Sequence, residues 1–221
     1  MFKYKISMLF VLILFLCTFS FVSADENNLS LLGKLIYIDP GHGGVDPGAI
    51  YKDIEEATIN LEISKKIAAS LEQEGAIVYL TRNGDYDLSV NNAVNRKRSD
   101  LSRRGNIINR SMCDLYLSIH LNADLSTTWR GAQVFFDDVN PKNEGIAKIL
   151  QGVLREDLNT NRKYKEVNDQ YLHKRVTRPG VLVEAGFITN PNERYLLLQD
   201  YYQQKIAASI TRGVIKIFEE L

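Results

Sequence analysis

Cysteine is almost absent from this chain. Among 221 residues only Cys17 and Cys113 carry a thiol. Cys17 lies in an N-terminal apolar run, so the remainder cannot form an intramolecular disulfide, and its stability must come from elsewhere. Cys113 reads as a small apolar residue opening a strand, because no second residue argues for a nucleophile. Net charge is absent as well: 27 basic residues balance 27 acidic ones, which excludes a general nucleic-acid binder. No internal repeat, low-complexity run or Pro/Gly-rich linker follows Leu31. Histidine is scarce, at three residues, so the placement of each is informative.

The first residues do not read as part of the fold. Lys3 and Lys5 precede the almost wholly apolar stretch Ile6 to Val22, and Val22-Ser23-Ala24 offers small residues at −3 and −1. Residues 1–24 are therefore expected to be a signal peptide. The apolar run is at the lower limit for spanning a bilayer, so retention as an anchor is the alternative, and membrane contact is expected only through this segment. Leu16 is too large for a lipoprotein cleavage site before Cys17. Either way, the rest of the chain is expected to be exported. Without the segment the formal charge is about −2, and the remaining length suits one domain with a sizeable core.

Beyond that point strands and helices alternate. Leu35 to Asp39 reads as a buried strand. Glu55 to Glu74 reads as a helix with Ile59, Ile63, Ile67 and Leu71 on one face and Gly75 as its stop signal. Ala76 to Thr81, Leu115 to His120, Ala132 to Phe136 and Val181 to Glu184 supply further strands. Asp100 to Arg110, Asn143 to Leu158 and Asp200 to Leu221 read as helices. This alternation predicts an α/β architecture with a mostly parallel central sheet flanked by helices. Functional residues of such sheets gather beyond the carboxyl ends of the strands, and His42, His120 and Glu184 all stand there.

His42 sits in a turn rich in glycine, "DPGHGG", where Gly41, Gly43 and Gly44 leave room for a ligand. Phosphate binding by such a turn is disfavoured because neither GxGxxG nor GxxxxGK[ST] occurs. His120 closes "LYLSIH". Alone it reads as a satisfied hydrogen-bonding residue, but paired with His42 at a neighbouring strand end it becomes a candidate zinc ligand. A carboxylate is the expected complement of two histidines. Glu55 and Glu56 both open the following helix, where one glutamate can complement the positive helix end; spacing does not say which reaches a metal. Glu184 ends an apolar strand without a charge partner nearby in sequence, a costly position for a carboxylate that favours a functional explanation. It can accept the proton of a water and pass it to a leaving amine.

Four motifs in this order, "DPGHGGVDPGA", "EEATINLEIS", "LYLSIHLNA" and "PGVLVEAGFITN", resemble the zinc-dependent N-acetylmuramoyl-L-alanine amidases of the bacterial cell wall. The resemblance runs from about Lys34 to the C-terminus, so residues 25–33 form a short lead and 34–221 the catalytic domain. It implies a single-domain phosphorylase/hydrolase-like fold, one zinc ion held by His42, Glu56 and His120, and Glu184 as catalytic carboxylate. The family pattern selects Glu56 over Glu55, with Leu61 keeping its spacing and Ala57 standing where lysine is common. The implied reaction is hydrolysis of the amide between the lactyl group of N-acetylmuramic acid and L-alanine of the stem peptide.

No wall-binding repeat or long regulatory insertion is evident, so the substrate, a peptidoglycan glycan strand with its stem peptide, must be found through the catalytic domain, a membrane tether or a protein activator. The short architecture looks most like the spore-cortex amidases of endospore formers, whose product a peptidoglycan deacetylase converts to muramic-δ-lactam. A vegetative autolysin of the same chemistry and a catalytically silent wall-binding module are the alternatives, and the absence of HExxH weakens a zinc peptidase. His173, in "DQYLHKRVTRPG", is expected in a loop or strand near the site entrance and outside the catalytic set. The basic residues Arg96, Lys97, Arg98, Arg103, Arg104 and Arg110 read as a solvated helix face.

Overall fold

A computed structural model describes residues 29–221, so the expected export segment, residues 1–24, lies outside the described residues. Five strands of the central sheet and the large helices follow the alternation read from the sequence. The strands are β1 (Leu35–Pro40), β4 (Ile77–Leu80), β5 (Leu115–Asn122), β6 (Gln133–Phe136), β7 (Lys165–Glu166) and β8 (Gly180–Phe187). Their spatial order is β4-β1-β5-β8-β6-β7, and a separate two-stranded ribbon joins β2 (Ile50–Tyr51) to β3 (Ile54–Glu55). The pairs β1–β4, β1–β5, β5–β8 and β6–β7 are parallel. The β6–β8 pair is antiparallel, a direction that apolar runs alone do not encode.

The helix α1 (Glu56–Gln73) forms where the 3.6-residue period predicts it. Its stripe of Ile59, Ile63, Ile67 and Leu71 is buried against β1, β4 and β5. The helix α3 (Asn143–Leu158) covers β6 and β8 on the same face, and α5 (Asp200–Glu220) packs across both α1 and α3. Burying a side chain of this size fully is worth roughly 1.5–3 kcal/mol relative to exposure, so this three-helix layer is the main apolar contribution. The other sheet face carries α2 (Arg96–Ser111), with a smaller cluster of Ile108, Cys113, Tyr116, Leu172 and Val176. Cys113 is buried, as its apolar reading expects, but it lies two residues ahead of β5, which opens at Leu115.

Two local readings need correction. The helix α2 starts one turn earlier than Asp100, because the Asn95 side chain accepts a hydrogen bond from the Arg98 amide at 2.9 Å and caps it. A short helix α4 (Pro191–Leu197), which the periodicity is too brief to reveal, starts at a clear signal: Asn190 accepts from the amides of Asn192 and Glu193, and Pro191 occupies the first turn.

The basic cluster is not uniformly solvated. Arg103 is exposed, but Arg104 is 1% exposed. Its Nε donates to Asp100 at 2.9 Å, and its Nη1 donates to Asp39 Oδ1 at 2.9 Å and to the Pro40 carbonyl at 2.7 Å. Asp39 also accepts from Ser118 at 2.9 Å. Burial raises its carboxyl, but the Arg104 charge and the hydrogen bonds outweigh this and hold it at about 2.

Arg104→Ala strands two buried carboxylates and is expected to lower stability by roughly 3–5 kcal/mol, whereas Arg103→Ala changes it by less than about 0.5 kcal/mol. Urea denaturation of the two variants measures both values.

Candidate active site

The parallel register sets His120 on β5 beside Glu184 on β8. His42 follows β1 by two residues, at the same edge of the sheet. Glu56 is the first residue of α1 and is 4% exposed, while Glu55 is exposed in β3. The structure thus separates the two glutamates that spacing left open: only Glu56 turns into the site.

One oxygen of Glu56 is the meeting point. Oε1 lies 3.1 Å from His120 Nδ1 and 3.3 Å from His42 Nε2. It also accepts from the Leu121 amide at 3.0 Å and from Asn60 Nδ2 at 3.1 Å. Oε2 accepts from the Ala49 amide at 2.9 Å. His42 Nδ1 lies 3.0 Å from Asp46 Oδ2. With Nδ1 turned to Asp46, Nε2 is the ring nitrogen on the Glu56 side and the one a metal ion would take. The ligand atoms of His42, Glu56 and His120 all fall within 4.8 Å of one another.

Close approach of these side chains demands glycine at two places. A Cβ at Gly41 would collide with the His120 ring, and one at Gly48 would lie 2.6 Å from Glu56 Oε2 and 2.7 Å from the His42 ring. The space attributed to the turn glycines is therefore real but differently shared: Gly41 makes room for His120, and Gly48, unremarked in the sequence, for His42. Gly43 and Gly44 instead approach Arg82 and Asp87.

The electrostatics follow from burial and neighbours. Burial would raise the Glu56 carboxyl, but the two imidazoles outweigh it and hold it well below the usual range. Burial opposes charge on His42, yet Glu56 and Asp46 leave its pKa raised. Burial dominates at His120 and lowers it. Glu184 has an Oε2 that is buried without a hydrogen-bond partner; burial, assisted by the Glu56 charge, pushes its carboxyl up to about 8. His42, His120 and Glu184 line one cavity of about 270 Å³.

Comparison with known proteins bears directly on this arrangement. The family profile described as N-acetylmuramoyl-L-alanine amidase matches residues 36–216. The chain belongs to the N-acetylmuramoyl-L-alanine amidase family. It is 42% identical over 218 residues to the germination-specific N-acetylmuramoyl-L-alanine amidase of Bacillus subtilis, covering 96% of this chain and 92% of that protein. The CwlD amidase of Clostridioides difficile, solved in complex with the GerS lipoprotein, is 37% identical, with a TM-score of 0.80 over 84% of this chain and 98% of that one. An N-acetylmuramoyl-L-alanine amidase of Clostridium difficile 630, 28% identical, gives a TM-score of 0.76 over 85% and 97%. The chain is accordingly a peptidoglycan amidase with the α/β fold of that family.

In this amidase two buried arginines, both overlooked as functional by the sequence reading, fix the turn that carries His42. Arg82, 1% exposed, donates from Nε to the Pro40 carbonyl at 3.0 Å and from Nη2 to the carbonyls of Gly41 and Ala57, each at 2.8 Å. Arg104 Nη2 donates to the His42 carbonyl at 2.6 Å. Three successive carbonyls are thereby held, and His42 is kept at φ +62°, a conformation that is uncommon for a residue with a side chain. His173 lies in a single 3-10 turn, His173–Arg175, and lines the same cavity. It is buried rather than set at an open entrance, with Nδ1 2.9 Å from the Tyr116 hydroxyl.

The displaced Glu184 carboxyl has a measurable consequence for stability. Its folded pKa of about 8 exceeds the ordinary 4.5, so its stabilising contribution is complete below about 4.5 and is lost as pH rises through about 8. Thermal unfolding of metal-free protein is expected to show wild type losing stability relative to Glu184→Gln across that window. A difference independent of pH contradicts the assignment.

Proposed function

We propose that this amidase is zinc-dependent, with His42, Glu56 and His120 as metal ligands and Glu184 as the catalytic acid and base. The carrying observation is the convergence of two imidazole nitrogens and a carboxylate oxygen beside a glutamate whose Oε2 is buried without a hydrogen-bond partner. Zinc bonds of roughly 2.0–2.2 Å at tetrahedral angles put donor atoms about 3.4 Å apart. The separations of 3.1 and 3.3 Å from Glu56 Oε1 fit that spacing. Two nitrogens and one oxygen from protein are also the donor set of catalytic zinc, which keeps a position open.

When bound there, zinc supplies Lewis-acid chemistry that polarises the scissile carbonyl and acidifies water. The chain's own contribution is orientation and proton transfer. Asp46 orients His42 through Nδ1, and the Leu121 and Ala49 amides with Asn60 hold both oxygens of Glu56. Glu184 accepts a proton from the attacking water. The lactyl carbon–nitrogen bond breaks, and Glu184 returns the proton to the departing L-alanine amine. The products are a lactyl carboxylate on the glycan and a free amine on the stem peptide.

The cellular setting we propose is the spore cortex, in the exported space, upstream of a peptidoglycan deacetylase that forms muramic-δ-lactam. Likeness to the Bacillus subtilis germination-specific amidase supports it. The Clostridioides difficile relative solved with a lipoprotein supports a protein activator.

Glu184→Gln is expected to retain zinc while losing roughly 10²–10⁴-fold in turnover, and His42→Ala to lose both. Metal analysis and mass spectrometry of digested muropeptides check each. Digestion by Glu184→Gln at the normal rate, or a product cut within the stem peptide, contradicts the proposal.

A further inference from the structure

A second, larger cavity of about 690 Å³ opens between the loop after β5, the segment following α3 and the start of α4. Its wall carries Trp129, Arg130, Gly131, Thr160, Arg162 and Asn190. It stands at the sheet edge that bears the catalytic cluster: Gly131 precedes Gln133, the register partner of Glu184, by two residues, no more than about 7 Å of chain. The two cavities are thus joined by a short length of chain, the catalytic one bounded by α2 and this one by the ends of α3, α4 and α5.

The chemistry of this wall is that of an anionic sugar site. Trp129 is half exposed, and an indole face offers the flat apolar platform that one side of a pyranose ring can cover. The Arg162 guanidinium is set 4.9 Å from the Trp129 ring centre and 4.7 Å from that of Phe187. Its Nε donates to the Arg130 carbonyl at 3.0 Å, and its Nη2 has no hydrogen-bond partner. Neither Arg130 nor Arg162 has an ion-pair partner among the described residues. One carboxylate, Glu193, lines the same cavity and its charge acts on both arginines; its oxygens are taken up by backbone amides, Oε1 accepting from Gly131 and Oε2 from Phe187, each at 2.8 Å. Two guanidiniums against one amide-bound carboxylate leave the wall with an excess of positive charge beside an exposed ring, which suits a carboxylate carried on a sugar.

We propose that this cavity binds a carboxylated sugar ring of the glycan strand, namely a muramic residue whose lactyl carboxylate the amidase reaction has already set free. The inference rests on hydrolysis at the lactyl amide, since that step creates this carboxylate. An enzyme holding its cleaved unit beside the next uncleaved one stays on the same strand. Stem-peptide carboxylates share the charge but not the ring.

Trp129 is the one tryptophan of the chain, so its emission reports from this wall alone. Titrating the full mature protein, with and without zinc, with N-acetylglucosaminyl-N-acetylmuramic acid is expected to give a saturable change that weakens with salt. Chitobiose, lacking the carboxylate, and a free stem tetrapeptide, lacking the ring, are expected to bind at least about tenfold more weakly. Arg162 is packed between rings and its removal can disturb folding, so the exposed Arg130 is the residue to change. Arg130→Gln is expected to weaken the disaccharide by about tenfold with unchanged circular dichroism and thermal midpoint. No response of Trp129, equal affinity for chitobiose, preference for the tetrapeptide, or unaltered binding by Arg130→Gln overturns the proposal. Because the readout is binding, loss of hydrolysis does not touch it; failure of the amidase reading shows instead in the digestion products.

Discussion

The Glu56 carboxylate is the constraint around which the rest is arranged. It is buried at the first turn of α1 and faces two imidazoles, and its two oxygens also accept from the backbone amides of Leu121 and Ala49 and from the Asn60 side chain. A buried carboxylate is tolerated only when its charge is met by donors or cations. Here the helix start, the end of β5 and the turn after β1 each provide part of that compensation. Displacing any one of them leaves charge unbalanced at the centre of the site.

The turn after β1 is the least regular of those three parts, and it is held by charge rather than by secondary structure. Arg82 and Arg104 reach the carbonyls of Pro40, Gly41, His42 and Ala57. Asp39, at the end of β1, takes up part of the Arg104 charge. Carbonyls in an irregular segment have no ladder partners, so guanidiniums with several donors in a fixed fork suit this task. The same helix, α2, therefore supplies a buried anchor from one face and exposed arginines from another. Glu184 is treated in the opposite way: its Oε2 is buried and left unpartnered, which is costly for folding and useful for a group that must gain and lose a proton.

Much of this was legible in the sequence because it is carried by local pattern. The stripe Ile59, Ile63, Ile67 and Leu71 marked α1, and the polar residues His120 and Glu184 marked the edge where they stand side by side, although both strands run past them, to Asn122 and Phe187. What stayed hidden depends on partners distant in the chain. Glu55 and Glu56 are indistinguishable by spacing, and only the direction of the first helical turn separates an exposed residue from a buried one. Arg82 in "TRNGD" and Arg104 in "SRRGN" look like ordinary surface arginines, because their acceptors are backbone carbonyls with no side-chain signature. The reversed direction of β6 and the seven-residue α4 escape for a simpler reason: hydrophobic period carries no strand direction and needs more than two turns to register a helix.

The central claim is that His42, Glu56 and His120 hold one zinc ion. Anomalous diffraction at the zinc absorption edge from crystals of the zinc-loaded protein tests this directly. The account requires a single strong peak about 2.0–2.2 Å from a nitrogen of each histidine and an oxygen of Glu56. A peak bound by other side chains, or full hydrolytic activity in crystals showing none at this position, contradicts it.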